Sequence, residues 1–165
     1  MFLFPSLLRD RVTDITPADL ASIGVRGLLL DVDNTLTAHH SRELAPAVKD
    51  WLAAMKAARI GLTVVSNGRK WRVKAFTEKT GMQYISMAAK PSPLGFIRGA
   101  RRLNLPLREC AAVGDQTFTD IIGAKLCGMK AIQVLPVNTD ASGVLWVKRK
   151  IEGKILKRYK MRNEE

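Results

Sequence analysis

Leu28-Leu29-Leu30-Asp31-Val32-Asp33-Asn34-Thr35-Leu36 sets two carboxylates and a hydroxyl at alternate positions directly after an unbroken apolar run. Gly27 to Leu30 has the length and continuous hydrophobicity of a strand buried on both faces, as in parallel sheets. Asp31, Asp33 and Thr35 then start out on one side of the extended chain. In open α/β sheets the carboxyl ends of strands are where ligands bind. Two acids this close repel each other unless a cation neutralises one or one keeps its proton. The stretch therefore implies a divalent metal, a nucleophile with an acid/base partner, or both. The plain alternative is an Asp-Asn turn that stops a strand.

Outward from this stretch, the chain alternates strand and helix patterns. Thr16-Pro17-Ala18-Asp19 predicts a helix start, with Thr16 as N-cap and Asp19 closing a capping box, and this short helix ends near Gly24. After the acidic stretch, Val48, Trp51, Leu52 and Met55 give Pro46 to Arg59 helical spacing. Leu62 to Val65 reads as a second strand ending in Ser66-Asn67-Gly68, Trp71 to Lys79 as a helix, and Gln83 to Ser86 as a weaker strand. Pro93 to Leu103 is a further helix and Ala111 to Val113 a strand running into Gly114-Asp115. Phe118 to Leu126 is helical and Lys130 to Leu135 is a last strand. This alternation predicts a doubly wound, Rossmann-like α/β fold of three layers around a five-stranded parallel sheet.

The 165 residues fit a single domain, and 47% of them are hydrophobic, which excludes a disordered chain. Two cysteines cannot build a disulfide scaffold; Cys110 and Cys127 read as small core residues of a protein in a reducing compartment. No window is apolar for long enough to span a bilayer, and the first residues do not resemble a secretory signal, so a cytoplasmic protein is expected. A net charge of +12 calls for an acidic partner: phosphate groups, nucleic acid or an anionic membrane. Only 6% of residues are aromatic and they do not alternate with the Lys/Arg runs, which argues against a nucleic-acid stacking platform. From about 144 to 162 the composition shifts. Val144, Val147, Ile151, Ile155 and Tyr159 form a stripe at helical spacing while Lys and Arg crowd the other positions, predicting a basic amphipathic helix.

Four features then fall after successive strands: Asp31-x-Asp33-x-Thr35, Ser66-Asn67, Lys90-Pro91, and Gly114-Asp115 with Asp120. Each alone is weak; in a doubly wound sheet all of them converge on one crevice. Together and in this order they resemble the haloacid dehalogenase superfamily of phosphohydrolases. The resemblance implies a phosphatase that works through an aspartyl-phosphate, with Asp31 as nucleophile and Asp33 as acid and then base. Ser66 and Asn67, with the amides that follow, and Lys90 would hold the phosphate. Mg²⁺ is the implied cofactor, held by Asp31, the backbone carbonyl of Asp33 and Asp115, with Asp120 either a ligand or an acceptor behind one. Thr35 is read as a buttress of the loop, and His39 and His40 as solvated residues outside the chemistry.

The spans between these motifs leave no room for an inserted cap domain, which favours a large or surface-presented substrate. Asp14-Ile15-Thr16-Pro17, Gly114-Asp115-Gln116 with Thr119-Asp120, Leu135-Pro136-Val137 and the basic tail extend the resemblance over nearly the whole chain. They are similar to the small bacterial phosphatases related to mitochondrial phosphatidylglycerophosphatase. That resemblance implies a lipid phosphate substrate, phosphatidylglycerophosphate, and the tail suits peripheral contact with the inner face of an anionic membrane. The rivals are an uncapped phosphatase for nucleic-acid ends, sugar phosphates or phosphoprotein, and a non-catalytic basic binding module.

Overall fold

The computed structural model describes residues 2–39, 41–139 and 141–163. The strands are β1 (Leu7–Arg9), β2 (Gly27–Leu30), β3 (Gly61–Val65), β4 (Gln83–Ile85), β5 (Cys110–Gly114) and β6 (Lys130–Val134). The helices are α1 (Pro17–Ser22), α2 (Pro46–Ala57), α3 (Lys70–Glu78), α4 (Pro93–Arg102), α5 (Ile122–Leu126) and α6 (Gly143–Asn163). All strand pairs are parallel, in the order β1-β6-β5-β2-β3-β4. The sheet is thus six-stranded, one strand wider than the sequence predicts. The extra strand, β1, pairs only with β6, Leu7 opposite Ile132, and its three residues are half-exposed, too short and too open for a period to show.

The β2 run shows how the layers arise. Leu28 and Leu30 pack with Val48, Trp51, Met55 and Phe76 on one face, while Leu29 packs with Phe96, Ala100 and Ala124 on the other. Successive strand residues point to opposite faces, so one continuous apolar run serves two cores. Gly99 lets α4 lie against the sheet, because a Cβ there would sit 2.7 Å from Leu29 Cδ2. The buried Trp51 donates its indole N–H to the Ile15 carbonyl at 2.8 Å, tying α2 to the segment before α1. α1 starts as read: Thr16 Oγ1 accepts from the Asp19 amide at 3.1 Å and Asp19 Oδ2 from the Thr16 amide at 3.0 Å. No separate cap fold is inserted among the described residues.

The register brings the motifs together. β2 pairs with β3 on one side and β5 on the other, with Leu30 opposite both Val64 and Val113. Asp31, Ser66 and Asp115 therefore leave neighbouring strands at the same end of the sheet, and the adjacency of the Asp31 and Asp115 strands is as the resemblance implies. The chain after β5 departs from a plain helix. Thr117–Ile121 is a π turn, with the Ile121 amide reaching back to the Gln116 carbonyl at 3.4 Å, and α5 follows it. π turns of this kind concentrate at functional sites.

Candidate active site

The Asp31 loop turns at Asn34, whose φ is 58°, a left-handed conformation that Asn tolerates better than most residues. The turn folds Thr35 back beneath the carboxylates. Its hydroxyl lies 3.3 Å from Asp115 Oδ1 and 3.5 Å from Asp31 Oδ2, so one donor is shared between two acids, which is a buttress. Lys90 reaches the same place from beyond β4. Its Nζ donates to Asp31 Oδ1 and to Asp120 Oδ1, each at 2.7 Å, with the lysine side chain only 3% exposed. Asn67 fixes that lysine. Its Oδ1 accepts from the Lys90 amide at 2.7 Å and its Nδ2 donates to the Lys90 carbonyl at 3.2 Å, so both ends of the amide side chain are committed to the Lys90 backbone. Ser66 is buried beside Asp33, its Oγ accepting from the Gly68 amide at 3.0 Å.

Asp120 is held on its other oxygen by the Gln116 amide at 3.2 Å. Gly114 makes room for it, since a Cβ at 114 would lie 2.2 Å from Asp120 Cγ. Only glycine fits under that carboxylate.

The residues that sequence reasoning missed are cations and their supports. Arg149, from α6, ion-pairs with Asp115 Oδ2, donates to the Asp115 carbonyl at 3.0 Å and lies 3.3 Å from Glu152. Glu152 is itself 3% exposed and accepts from the Thr117 amide at 2.7 Å. Gln133 of β6 donates to the Asp115 carbonyl and to Thr117 Oγ1, closing the network. Arg72, from α3, ion-pairs with Asp33. His39 lies 3.8 Å from the same Asp33 oxygen with half its side chain exposed. His40 lies outside the described residues.

Arg149 also corrects the reading of the tail. The expected stripe of Val144, Val147, Ile151, Ile155 and Tyr159 does not bury as one. Glu152 and Ile155 turn inward and the Tyr159 ring meets Phe4 edge-on at 5.6 Å, whereas Val144 is 74% exposed and Val147 and Ile151 stay in solvent. The polar anchor at Asp115, rather than apolar burial, sets the rotation of this helix. No helix among the described residues is long and apolar enough to cross a membrane.

Burial raises the pKa of Asp31 to about 6, with the Asp120 and Asp33 charges adding to the shift and Lys90 opposing it. Asp115 and Asp120 are also raised, each first by burial and then by a neighbouring acid. Burial opposes the charge on Lys90, but Asp120 and Asp31 more than compensate and hold it protonated. The site is thus a compact cluster of strained acids. Asp31, Asp115 and Asp120 each offer an oxygen, all within 4.8 Å of one another. An all-carboxylate donor set suits a hard divalent cation such as Mg²⁺ and fits soft metals poorly. A cation must compete with protons for these groups. Stabilisation by millimolar Mg²⁺, read as a rise in melting temperature, is expected to be large at pH 7.5 and to fade as pH falls through about 6. A rise that stays constant from pH 7.5 to 5 would show that Mg²⁺ binds elsewhere.

The chain is similar to known proteins. Residues 19–128 match the haloacid dehalogenase-like hydrolase model, and the chain belongs to that hydrolase family. Over 159 residues it is 33% identical to "Probable phosphatase YqeG" of Bacillus subtilis (strain 168), spanning 96% of this chain and 92% of that protein. Among solved structures, an uncharacterized protein from Listeria monocytogenes serotype 4b superposes with a TM-score of 0.58 at 17% identity, over 72% of this chain and 85% of that one. A HAD phosphatase from Thermococcus onnurineus gives a TM-score of 0.52 at 26% identity, over 67% of this chain and 59% of that one. The Listeria likeness speaks to the fold alone.

Proposed function

We propose that the chain is a divalent-cation-dependent phosphomonoester hydrolase that forms an aspartyl-phosphate on Asp31 and acts on phosphatidylglycerophosphate. The observation that carries the reaction is the convergence of Asp31, Asp33, Ser66, Lys90, Asp115 and Asp120 at one end of the sheet. An Asp31 oxygen attacks phosphorus and the bond to the leaving oxygen breaks. Asp33 supplies the proton that oxygen takes up, then removes a proton from the water that releases phosphate from Asp31. Lys90 neutralises charge gathering on the transferred group. Ser66 donates its hydroxyl to a phosphate oxygen while accepting from the Gly68 amide, and Asn67 acts by fixing Lys90. A divalent cation held by Asp31, the Asp33 carbonyl, Asp115 and Asp120 neutralises the phosphate when bound.

A lipid phosphate fits what surrounds the site. Among the described residues no cap closes over it, and α6, which reaches Asp115 from its inner side, carries Val144, Trp146, Val147 and Ile151 on exposed positions among Lys150, Lys154 and Lys157. Glu152 is the acid of that helix and it faces inward. An outer surface of cations and apolar side chains suits an anionic bilayer at about 1 kcal/mol per docked Lys or Arg. This reading places the enzyme peripherally on the cytoplasmic face of a membrane. Similarity to a protein called a probable phosphatase over nearly the full length supports the activity.

The test is Mg²⁺-dependent phosphate release from phosphatidylglycerophosphate in mixed micelles, against p-nitrophenyl phosphate and a 3′-phosphorylated oligonucleotide. A kcat/KM for the lipid at least about tenfold above both is expected, because binding energy from the rest of a true substrate is spent on its transition state. Preference for either soluble compound would overturn the lipid assignment.

A further inference from the structure

A carboxylate holds a divalent cation more tightly when the groups behind it fix its orientation. For Asp115 the main such group comes from α6. Arg149 ion-pairs with Asp115 Oδ2 through Nη2 and donates from Nη1 to the Asp115 carbonyl at 3.0 Å, so one planar fork grips the side chain and the backbone of the same residue. A lysine, as a point charge, lacks that fork. The other carboxylate oxygen, Oδ1, lies 3.3 Å from the Thr35 hydroxyl that also meets Asp31 Oδ2, which makes it the oxygen on the Asp31 side. Gln133 adds a second donor to the Asp115 carbonyl at 3.3 Å.

An uncompensated guanidinium against a metal ligand would repel the ion. Here Glu152, one turn later on α6, lies 3.3 Å from Arg149 Nη1 with its side chain only 4% exposed. Its other oxygen accepts from the Thr117 amide at 2.7 Å, which ties the balancing charge to the π turn that carries Asp120. The pair thus orients Asp115 with its charge offset. Glu152 and Ile155 are the buried residues of α6, so this contact is a principal attachment of the helix. Gln133, Arg149 and Glu152 all lie beyond residue 128, where the match to the hydrolase family ends.

We propose that Arg149 is a positioning residue for the divalent cation: its guanidinium, balanced by Glu152, fixes the Asp115 carboxylate and carbonyl, and through it α6 sets the affinity of the site for the ion. The inference rests on the divalent-cation reading of the site and adds to it a requirement from outside the matched family region. The C-terminal helix is then part of the active site.

The experiment titrates Mn²⁺ into the full chain at pH 7.5 without substrate and counts free ion by electron paramagnetic resonance. Arg149→Met is expected to bind the ion at least about tenfold more weakly than wild type. Arg149→Lys, which keeps the charge and loses the fork, falls between the two. Glu152→Gln, whose side chain can still accept from the Thr117 amide, also binds more weakly, because Arg149 is left uncompensated. In hydrolysis of p-nitrophenyl phosphate by Arg149→Met, the Mg²⁺ concentration for half-maximal rate rises while kcat at saturating Mg²⁺ is largely kept, a split that simple loss of fold does not produce. Melting curves check folding, and if Arg149→Met does not melt cooperatively the other two variants decide. Wild-type affinity in the folded variants would leave Arg149 as an anchor of α6 and overturn the proposal. Tighter binding in Arg149→Met would make the guanidinium a competitor for Asp115 and overturn it equally. Mn²⁺ binding that Asp115→Asn does not weaken, or no binding by the wild type, would overturn the cation reading itself.

Discussion

Asp31→Asn is expected to lose phosphatase activity by on the order of 10⁴-fold or more, the scale on which enzymes lose a covalent nucleophile. Asn matches Asp in shape but cannot form the acyl-phosphate. Lys90 keeps its bond to Asp120, so the loop geometry survives the change. The variant is not expected to be unstable. In the metal-free protein, burial raises the pKa of Asp31 to about 6, above the unfolded carboxyl, so its ionised form costs stability once the pH exceeds that range. At pH 7.5 in chelator the melting temperature of Asp31→Asn should equal or exceed that of the wild type, and Mg²⁺ should raise it less. A fall in activity accompanied by an equal loss of fold would mean that Asp31 is structural. Activity within tenfold of wild type would remove it from the mechanism.

Lys90→Met is expected to damage both activity and fold. The lysine is the bridge between Asp31 and Asp120, and its removal leaves Asp31, Asp115 and Asp120 with Arg149 as their nearest compensating charge. Breaking a buried ion pair by deleting one partner costs about 3–5 kcal/mol, measured by denaturant unfolding at pH 7.5 in chelator. Exposed lysines are worth about 1 kcal/mol or less, so the magnitude separates the two roles. The loss should shrink as pH falls through about 6, where Asp31 takes up a proton, and shrink further as Asp115 and Asp120, also raised by burial, follow, because the need for a counter-charge then falls. Mg²⁺ should restore more stability to this variant than it adds to the wild type. Turnover should fall about 10²–10³-fold even with Mg²⁺ present, because a positioned cation at the transferred phosphate is missing. A loss under 1 kcal/mol, with turnover intact, would return Lys90 to the surface.

The parallel sheet and its site motifs could be read from residue order because buried strands and their acidic ends carry strong local patterns. Leu28 to Leu30 needs no partner to look like a strand. β1 did not show because three half-exposed residues have no period, and its strand geometry depends on the exposed edge of β6. The cations around the acids were hidden for a different reason. Arg149 and Arg72 lie in segments rich in Lys and Arg, where any one basic residue reads as solvated, and only the three-dimensional approach of α6 and α3 distinguishes them. One local signal was available in α6: Glu152 is the acid in a long basic helix and stands one turn after Arg149, a spacing that puts the two on one face. The same contact explains why the Val144 to Tyr159 stripe failed to bury as one. Two polar anchors, the ion pair of Arg149 with Asp115 and the hydrogen bond from the Thr117 amide to Glu152, outweigh a few apolar contacts in setting how the helix is turned.

Asn67 shows how a motif residue can serve the site through another. Its side chain spans the Lys90 peptide, so Asn67→Ala would act through the placement of the lysine.

The central claim is that Asp31 becomes phosphorylated during turnover, and trapping tests it most directly. Enzyme quenched during steady-state hydrolysis and treated with borohydride converts an aspartyl-phosphate to homoserine, which peptide mass spectrometry locates. The account predicts homoserine at position 31, dependent on substrate and absent from Asp31→Asn. Homoserine at Asp33, Asp115 or Asp120, or none at all from an enzyme turning over normally, would contradict it.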